Sequence, residues 1–300
     1  MIVHLENISK RYGRFDALRG LSLRVSEGSV FALFGANGAG KTTTIKMLMN
    51  LIGPTAGDAT VLGVDTRALS PRELAQIGYV SENQEMPGRM TVAAYIHYLR
   101  PFYPTWDRAV EAELLGKLRL PPERRIKDLS HGMRMKLGLA CALPFRPKLL
   151  VLDEPLSGLD PLVRDEFMEA LMLQAGATTV LISSHELAEI EAITTDVAFL
   201  DRGKLLFQES KADLQARVRQ VHVTLESAAC VPARVPREWL DMRVAGNVLS
   251  FVDVQYCERE LTARIAAVMG AVRHVEAKPI ALRSVYTTLA REVRDEGVSR

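Results

Sequence analysis

Gly35-Ala36-Asn37-Gly38-Ala39-Gly40-Lys41-Thr42 is the stretch on which the reading of this chain turns. It satisfies G-x-x-x-x-G-K-[ST] at every fixed position. A triphosphate needs several donors converging on closely spaced oxygens. Successive backbone N–H groups in a tight loop form such a nest, provided no Cβ blocks the approach. Glycine supplies both the clearance and the positive φ angles. A helix starting near Lys41 points its positive end at the phosphates. Lys41 then reaches the β- and γ-phosphates, the Thr42 hydroxyl ligates Mg²⁺, and Thr43 is assigned to the same site.

The surroundings match. Upstream, Val30–Phe34 is an apolar run suited to a buried strand; downstream, Thr42–Leu51 has helical character and closes at Gly53-Pro54. That is strand, glycine loop, helix, the context that separates a phosphate loop from a chance glycine-rich turn.

Further along, Leu149-Leu150-Val151-Leu152-Asp153-Glu154 is an apolar strand ending in two acids. Ligands of parallel sheets bind beyond the carboxyl ends of the strands. Asp153 is therefore expected to meet the Mg²⁺ held by Thr42. Glu154 is expected beside the γ-phosphate, where it can orient and deprotonate the attacking water. Alone, two acids at a strand end are commonly just solvated; the complete phosphate loop upstream changes that weighting.

Taken together, Gly35 to Thr42, the acid strand and Leu129-Ser130-His131-Gly132-Met133 resemble the ATP-binding subunits of ABC transporters, over about residues 2 to 213. The last segment looks like a variant of that family's LSGGQ signature. Ser130 offers a hydroxyl and Gly132 an unobstructed N–H ahead of an apolar-striped helical segment, Leu137 to Leu143, which suits an anion at a helix N-terminus. In the family the signature faces the ATP held by the opposite protomer, so two ATP molecules lie sandwiched in a head-to-tail dimer. The resemblance extends to Asp160 in Ser157-Gly158-Leu159-Asp160, which crosses that interface. It implies a switch role for His185, in contact with the γ-phosphate and the catalytic water. It implies adenine stacking for Tyr12, whose bland alternative is an ordinary packing tyrosine. The catalytic set is thus Glu154, His185 and Lys41. The nucleotide set is Tyr12, Gly35, Asn37, Gly38, Ala39, Gly40, Lys41, Thr42, Thr43, Ser130, Gly132 and Asp160. The metal set is Thr42, Glu82 and Asp153, with ATP and Mg²⁺ as the bound species.

The sequence also departs from the pattern. Ile77-Gly78-Tyr79-Val80-Ser81-Glu82 carries Glu82 where the family has Gln. A carboxylate ligates Mg²⁺ through oxygen but, ionised, donates no hydrogen bond. Gln84 stands two residues away as a substitute; Glu82 is the expected ligand. His131 and Met133 replace the signature's second Gly and its Gln.

The expected fold is α/β: a P-loop NTPase core with a parallel sheet, an antiparallel β subdomain and a helical subdomain over about 88–147, followed by a small C-terminal α+β domain. The domains are set at 1–213 and 214–300. Leu21–Val25 and Val30–Phe34 around Ser26-Glu27-Gly28 read as one hairpin, and Val197–Leu200 and Leu205–Phe207 around Asp201-Arg202-Gly203 as another. In the C-terminal part, Val221–Leu225 and Val248–Val254 read as strands and Glu260–Met269 as an amphipathic helix, with a Pro- and Arg-rich stretch at 231–237 between them.

Bulk properties narrow the partners. With 48% hydrophobic and 25% charged residues and a net charge of +2, the chain lacks the basic excess of a nucleic-acid binder. Cys141, Cys230 and Cys257 form no metal spacing or disulfide framework and read as small buried apolar side chains in a reducing cytosol. No apolar run is long enough to cross a bilayer, and Met1–Lys10 lacks a signal-peptide core. The expectation is a homodimer or heterodimer, peripheral on the cytoplasmic face of the membrane, driving a permease subunit on a separate chain. Ile280-Ala281-Leu282-Arg283-Ser284-Val285-Tyr286-Thr287 resembles export-type subunits. The rival is a soluble ATPase of the same type in a non-transport scaffold, such as iron–sulfur cluster assembly. The DNA-repair and chromosome ATPases insert a long coiled coil between the two nucleotide motifs; Thr42 to Leu149 is too short for one and shows no heptad.

Overall fold

In the computed structural model, residues 1–173, 178–226, 235–269 and 272–289 are described. The chain forms two compact units, Met1–Gln208 and Glu209–Arg300.

The first unit opens with β1 (Val3–Tyr12) and β2 (Phe15–Val25), paired antiparallel with Tyr12 opposite Phe15. The chain then enters β3 (Val30–Gly35), the glycine loop, and α1 (Lys41–Leu48). β4 (Ala56–Val61) and β5 (Val64–Asp65) complete the antiparallel sheet, in the order β2-β1-β4-β5. After α2 (Pro71–Leu74), β6 (Ile77–Ser81) joins the second sheet. A helical stretch follows: α3 (Val92–Leu99), α4 (Arg108–Lys117) and α5 (His131–Ala142). Then come β7 (Leu149–Asp153), α6 (Pro161–Met172), β8 (Thr179–Ser184), β9 (Asp196–Asp201) and β10 (Lys204–Ser210).

The six strands are ordered β10-β9-β3-β8-β7-β6. β3, β7 and β8 are buried at every position, as strands covered on both faces must be. Their apolar runs, with no polar alternation, are the sequence cause. β1 instead alternates, placing Val3, Leu5 and Ile8 in the same core as Phe31, Leu33, Ile45 and Leu149.

One expectation fails. Leu21–Val25 and Val30–Phe34 are not a hairpin: β2 belongs to the antiparallel sheet and β3 to the parallel one. Ser26 to Ser29 is a turn that carries the chain between sheets. Turn chemistry signals a change of direction, not pairing. The second expected hairpin is present, with β9 beside β10. Helix α1 is shorter than expected and begins at Lys41.

In the second unit α7 (Lys211–Arg217) leads into β11 (Arg219–Leu225), β12 (Trp239–Ala245) and β13 (Val248–Asp253). Helix α8 (Glu258–Met269), β14 (Val272–Pro279) and α9 (282–289) complete it. Its sheet runs β12-β13-β11-β14, and Val221, Val223, Trp239, Phe251, Leu261 and Ile265 form its core. Cys141 and Cys257 are only half-buried; Cys230 and residues 231–234 of the Pro- and Arg-rich stretch lie outside the described residues.

Candidate functional site

Sheet register assembles the site. Ser81 pairs with Asp153, Asp153 with Ser183, and Phe34 with Ser184, all parallel. These strand ends lie level. Glu82, Glu154, His185 and the glycine loop therefore leave the same carboxyl edge of the sheet, where α/β proteins bind ligands.

The loop itself is a tight turn, with the Ala39 N–H bonded to Ala36 O at 3.0 Å. Ala39 is buried and shapes the loop from beneath, while Asn37 and Gly38 face solvent. Gly40 has φ 109°, and a Cβ there would stand 2.6 Å from Leu18 Cδ2 and 2.9 Å from Ala17 O, so only glycine fits. Nothing lies within 4 Å of a Cβ built on Gly38, where φ is 81°. The helical ladder of α1 starts with Thr44 N–H to Gly40 O at 2.9 Å. The N–H groups before it, at Lys41 to Thr43, are first-turn donors without helical partners. Thr42 is exposed and Thr43 half-buried.

Lys41 is 5% exposed. Its Nζ donates to Gly35 O at 2.6 Å and to Ala36 O at 3.3 Å, and lies 3.0 Å from Glu154 Oε1. That last contact is an ion pair outside hydrogen-bond alignment, so Oε1 keeps an unused lone pair. The other oxygen, Oε2, accepts from His185 Nδ1 at 2.8 Å. A carboxylate only accepts, so the proton of this contact is on Nδ1. Glu154 has φ 52°, a left-handed conformation for a side-chain-bearing residue, of the kind that gathers at functional sites.

Beneath it, Asp153 Oδ1 accepts from Thr42 Oγ1 at 3.1 Å and from Ser183 Oγ at 2.7 Å. Burial pushes the Asp153 carboxyl above its usual range, against the pull of the Ser183 and Thr42 hydroxyls. Ser183 Oγ also accepts the Glu154 N–H at 2.9 Å, so one hydroxyl holds both acids. Sequence reading did not single out Ser183; its place just before Ser184-His185 on an apolar strand was the available signal.

A second group forms around Ser157. Its Oγ donates to Glu82 Oε1 at 3.1 Å, and its carbonyl accepts from His131 Nε2 at 3.1 Å. Ser130 caps α5, accepting from Met133 N–H at 3.2 Å, and Gly132 follows in the first turn. Asp160 caps α6, with Pro161 at the first helical position. Arg164 on α6 donates to Leu159 O at 3.3 Å and pairs with Glu189 at 2.7 Å. Burial pushes the Glu189 carboxyl up to about 7, with Arg164 opposing. Tyr12 is 47% exposed, with Lys10 Nζ 5.2 Å from its ring centroid and exposed Phe15 beside it across the strand pair. Among the described residues, no hydrogen bond or ion pair joins Tyr12, Ser130 or Asp160 to the Lys41–Glu154 group.

A family model described as "ABC transporter" matches residues 18–157. The chain is 33% identical over 309 residues to "Daunorubicin resistance ATP-binding protein DrrA2" of Streptomyces coeruleorubidus, covering 99% of this chain and 88% of that protein. It is 33% identical over 224 residues to "Probable multidrug ABC transporter ATP-binding protein YbhF" of Escherichia coli (strain K12). That match takes in 72% of this chain, which spans only 38% of that longer relative. A solved structure described as "Structure of ATP binding subunit of ABC transporter" superposes with a TM-score of 0.66 at 26% identity, over 72% of this chain and 92% of that one.

Proposed function

Since the chain belongs to the ATP-binding proteins of ABC transporters, we propose that it hydrolyses ATP to drive export through a separate permease. The reading rests on one observation above all. The acid that ends β7 and the one just after it are each tied to the glycine loop's helix, Asp153 to Thr42 and Glu154 to Lys41.

In this reading Lys41 and the first-turn amides of α1 hold the phosphates, and Tyr12 stacks on adenine. Glu154 accepts a proton from the attacking water. His185 fixes one Glu154 oxygen, and Ser183 fixes its backbone, so the base is oriented before substrate arrives. Ser130, Gly132 and Asp160 serve the nucleotide of a twin copy in a head-to-tail dimer.

Thr42, Asp153 and Glu82 offer only oxygen, a set suited to Mg²⁺. Among the described residues no group of three or more His, Cys, Asp or Glu could hold a metal by itself. A partial shell suits Mg²⁺, which keeps waters and substrate oxygens. When bound, it neutralises charge on the β- and γ-phosphate oxygens.

Among the described residues no helix is long and apolar enough to cross a membrane, and a permease on another chain, met at the cytoplasmic face, supplies the pore. The relatives' names, daunorubicin resistance and multidrug transport, support export. The test is phosphate release from Mg·ATP by the purified chain, together with co-purification of an integral membrane protein. Absence of hydrolysis, alone and with that membrane partner in vesicles, overturns the reading.

A further inference from the structure

Two positions at which the sequence departs from the family pattern meet on one serine. His131, the first residue of α5, places Nε2 3.1 Å from the Ser157 carbonyl oxygen. A carbonyl only accepts, so Nε2 carries the proton. The Ser157 hydroxyl stands 3.1 Å from Glu82 Oε1 and donates to it. Ser157 is anchored to the acid strand as well: its N–H bonds to Glu154 O at 3.3 Å, and the Glu82 N–H bonds to Asp153 O at 3.1 Å. All three polar groups of Ser157 are engaged. A glycine at 131 has no side chain to reach the carbonyl, and a neutral amide at 82 accepts a weaker hydrogen bond than a carboxylate.

We propose that Glu82, Ser157 and His131 form a positioning relay that couples the nucleotide site of this chain to the signature segment it presents to a twin copy. The relay rests on the head-to-tail reading above. There Glu82 serves the chain's own nucleotide, while the start of α5 serves the other one. A shift of the Glu82 carboxylate moves the Ser157 hydroxyl, and the Ser157 carbonyl carries that shift to the first residue of α5. The relay is a within-chain route between two sites, so its energetic signature is cooperativity.

The test is ATP hydrolysis against ATP concentration, using the full-length chain. The wild type is expected to show a Hill coefficient above one. His131→Ala cuts one arm and Ser157→Ala the other. Each is expected to bring the Hill coefficient toward one and to lower kcat about fivefold, the scale of one lost hydrogen bond. The double variant is expected to be no worse than the poorer single one, because a chain of contacts breaks once. His131→Gln keeps an N–H at similar reach and restores cooperativity relative to His131→Ala. Thermal melting, unchanged in all of these, rules out a folding defect. A wild-type Hill coefficient of one, an unchanged coefficient in either alanine variant, or multiplied effects in the double variant overturns the relay. A Glu154→Gln chain that stays monomeric with ATP overturns the head-to-tail reading instead, so the two failures are distinguishable.

Discussion

Lys41 Nζ stands 3.0 Å from Glu154 Oε1, an ion pair joining the residue after the glycine loop to the residue after the acid strand. Both side chains are largely withdrawn from water, at 5% and 14% exposed. The ammonium is thus already held at the mouth of the loop by Glu154 and by the carbonyls of Gly35 and Ala36. In the proposed reading, entering phosphates exchange one set of oxygens for another without a search by the side chain.

Glu154→Gln keeps the shape of this contact and removes the proposed base. Turnover is expected to fall roughly 10² to 10⁴-fold, with ATP binding retained. With ATP, the variant is expected to double in mass by light scattering. Wild-type turnover would remove Glu154 from its role.

Gly40→Ala introduces a Cβ into Leu18 and Ala17 O at a backbone angle that side-chain-bearing residues avoid. The expected loss is about 2 kcal/mol of folding stability, seen as a lower melting temperature, together with weaker nucleotide binding. An unchanged melt would mean that β2 yields at Ala17 and Leu18 to make room.

Ser183→Ala removes the donor to Asp153 Oδ1 and the acceptor for the Glu154 N–H. A hydrogen bond to a charged group contributes about 1.5–3 kcal/mol. The variant is therefore expected to lose kcat about tenfold or more while KM for ATP moves little. Unaltered kcat in steady-state assays would show that other contacts orient the acids.

Glu189 gives the chain a pH-dependent stability. Burial raises its carboxyl to about 7 in the folded chain, despite Arg164 at 2.7 Å. The folded state therefore binds this proton more tightly than the unfolded state. The contribution is complete below the ordinary value of 4.5 and is lost as pH rises through about 7. Glu189→Gln is expected to flatten the fall in stability between these limits. Urea unfolding at either end of the range measures it, and equal slopes for variant and wild type would refute it.

Much of the site was legible because its chemistry demands residues at fixed local spacing. The glycine loop is one continuous segment, so Gly40 with φ 109° and Lys41 at the helix start follow from the motif alone. β7 was readable because a strand buried on both faces must be apolar throughout. The false hairpin at Ser26–Gly28 shows the limit. A turn is encoded locally, but the sheet that each arm joins depends on partners far along the chain, as Val30 with Val180 shows. Ser183, and the contacts of Ser157 within its quoted segment, escaped notice for a related reason: one hydroxyl among many gains meaning only when two acids, or an acid and a histidine, converge on that residue.

By itself the sequence determined the phosphate-binding turn, the acid strand and the order of the motifs, since each is set by contiguous residues whose backbone and side-chain chemistry is local. The sequence brought Asp153 to the metal of Thr42 and Glu154 to the phosphate of Lys41, but only the tertiary structure decided that each pair touches directly and that the departures at 82 and 131 share Ser157. Those pairings come from parallel-strand register, which brings level the ends of strands far apart in the chain. Burial of apolar strands fixes that register, and no local pattern records it.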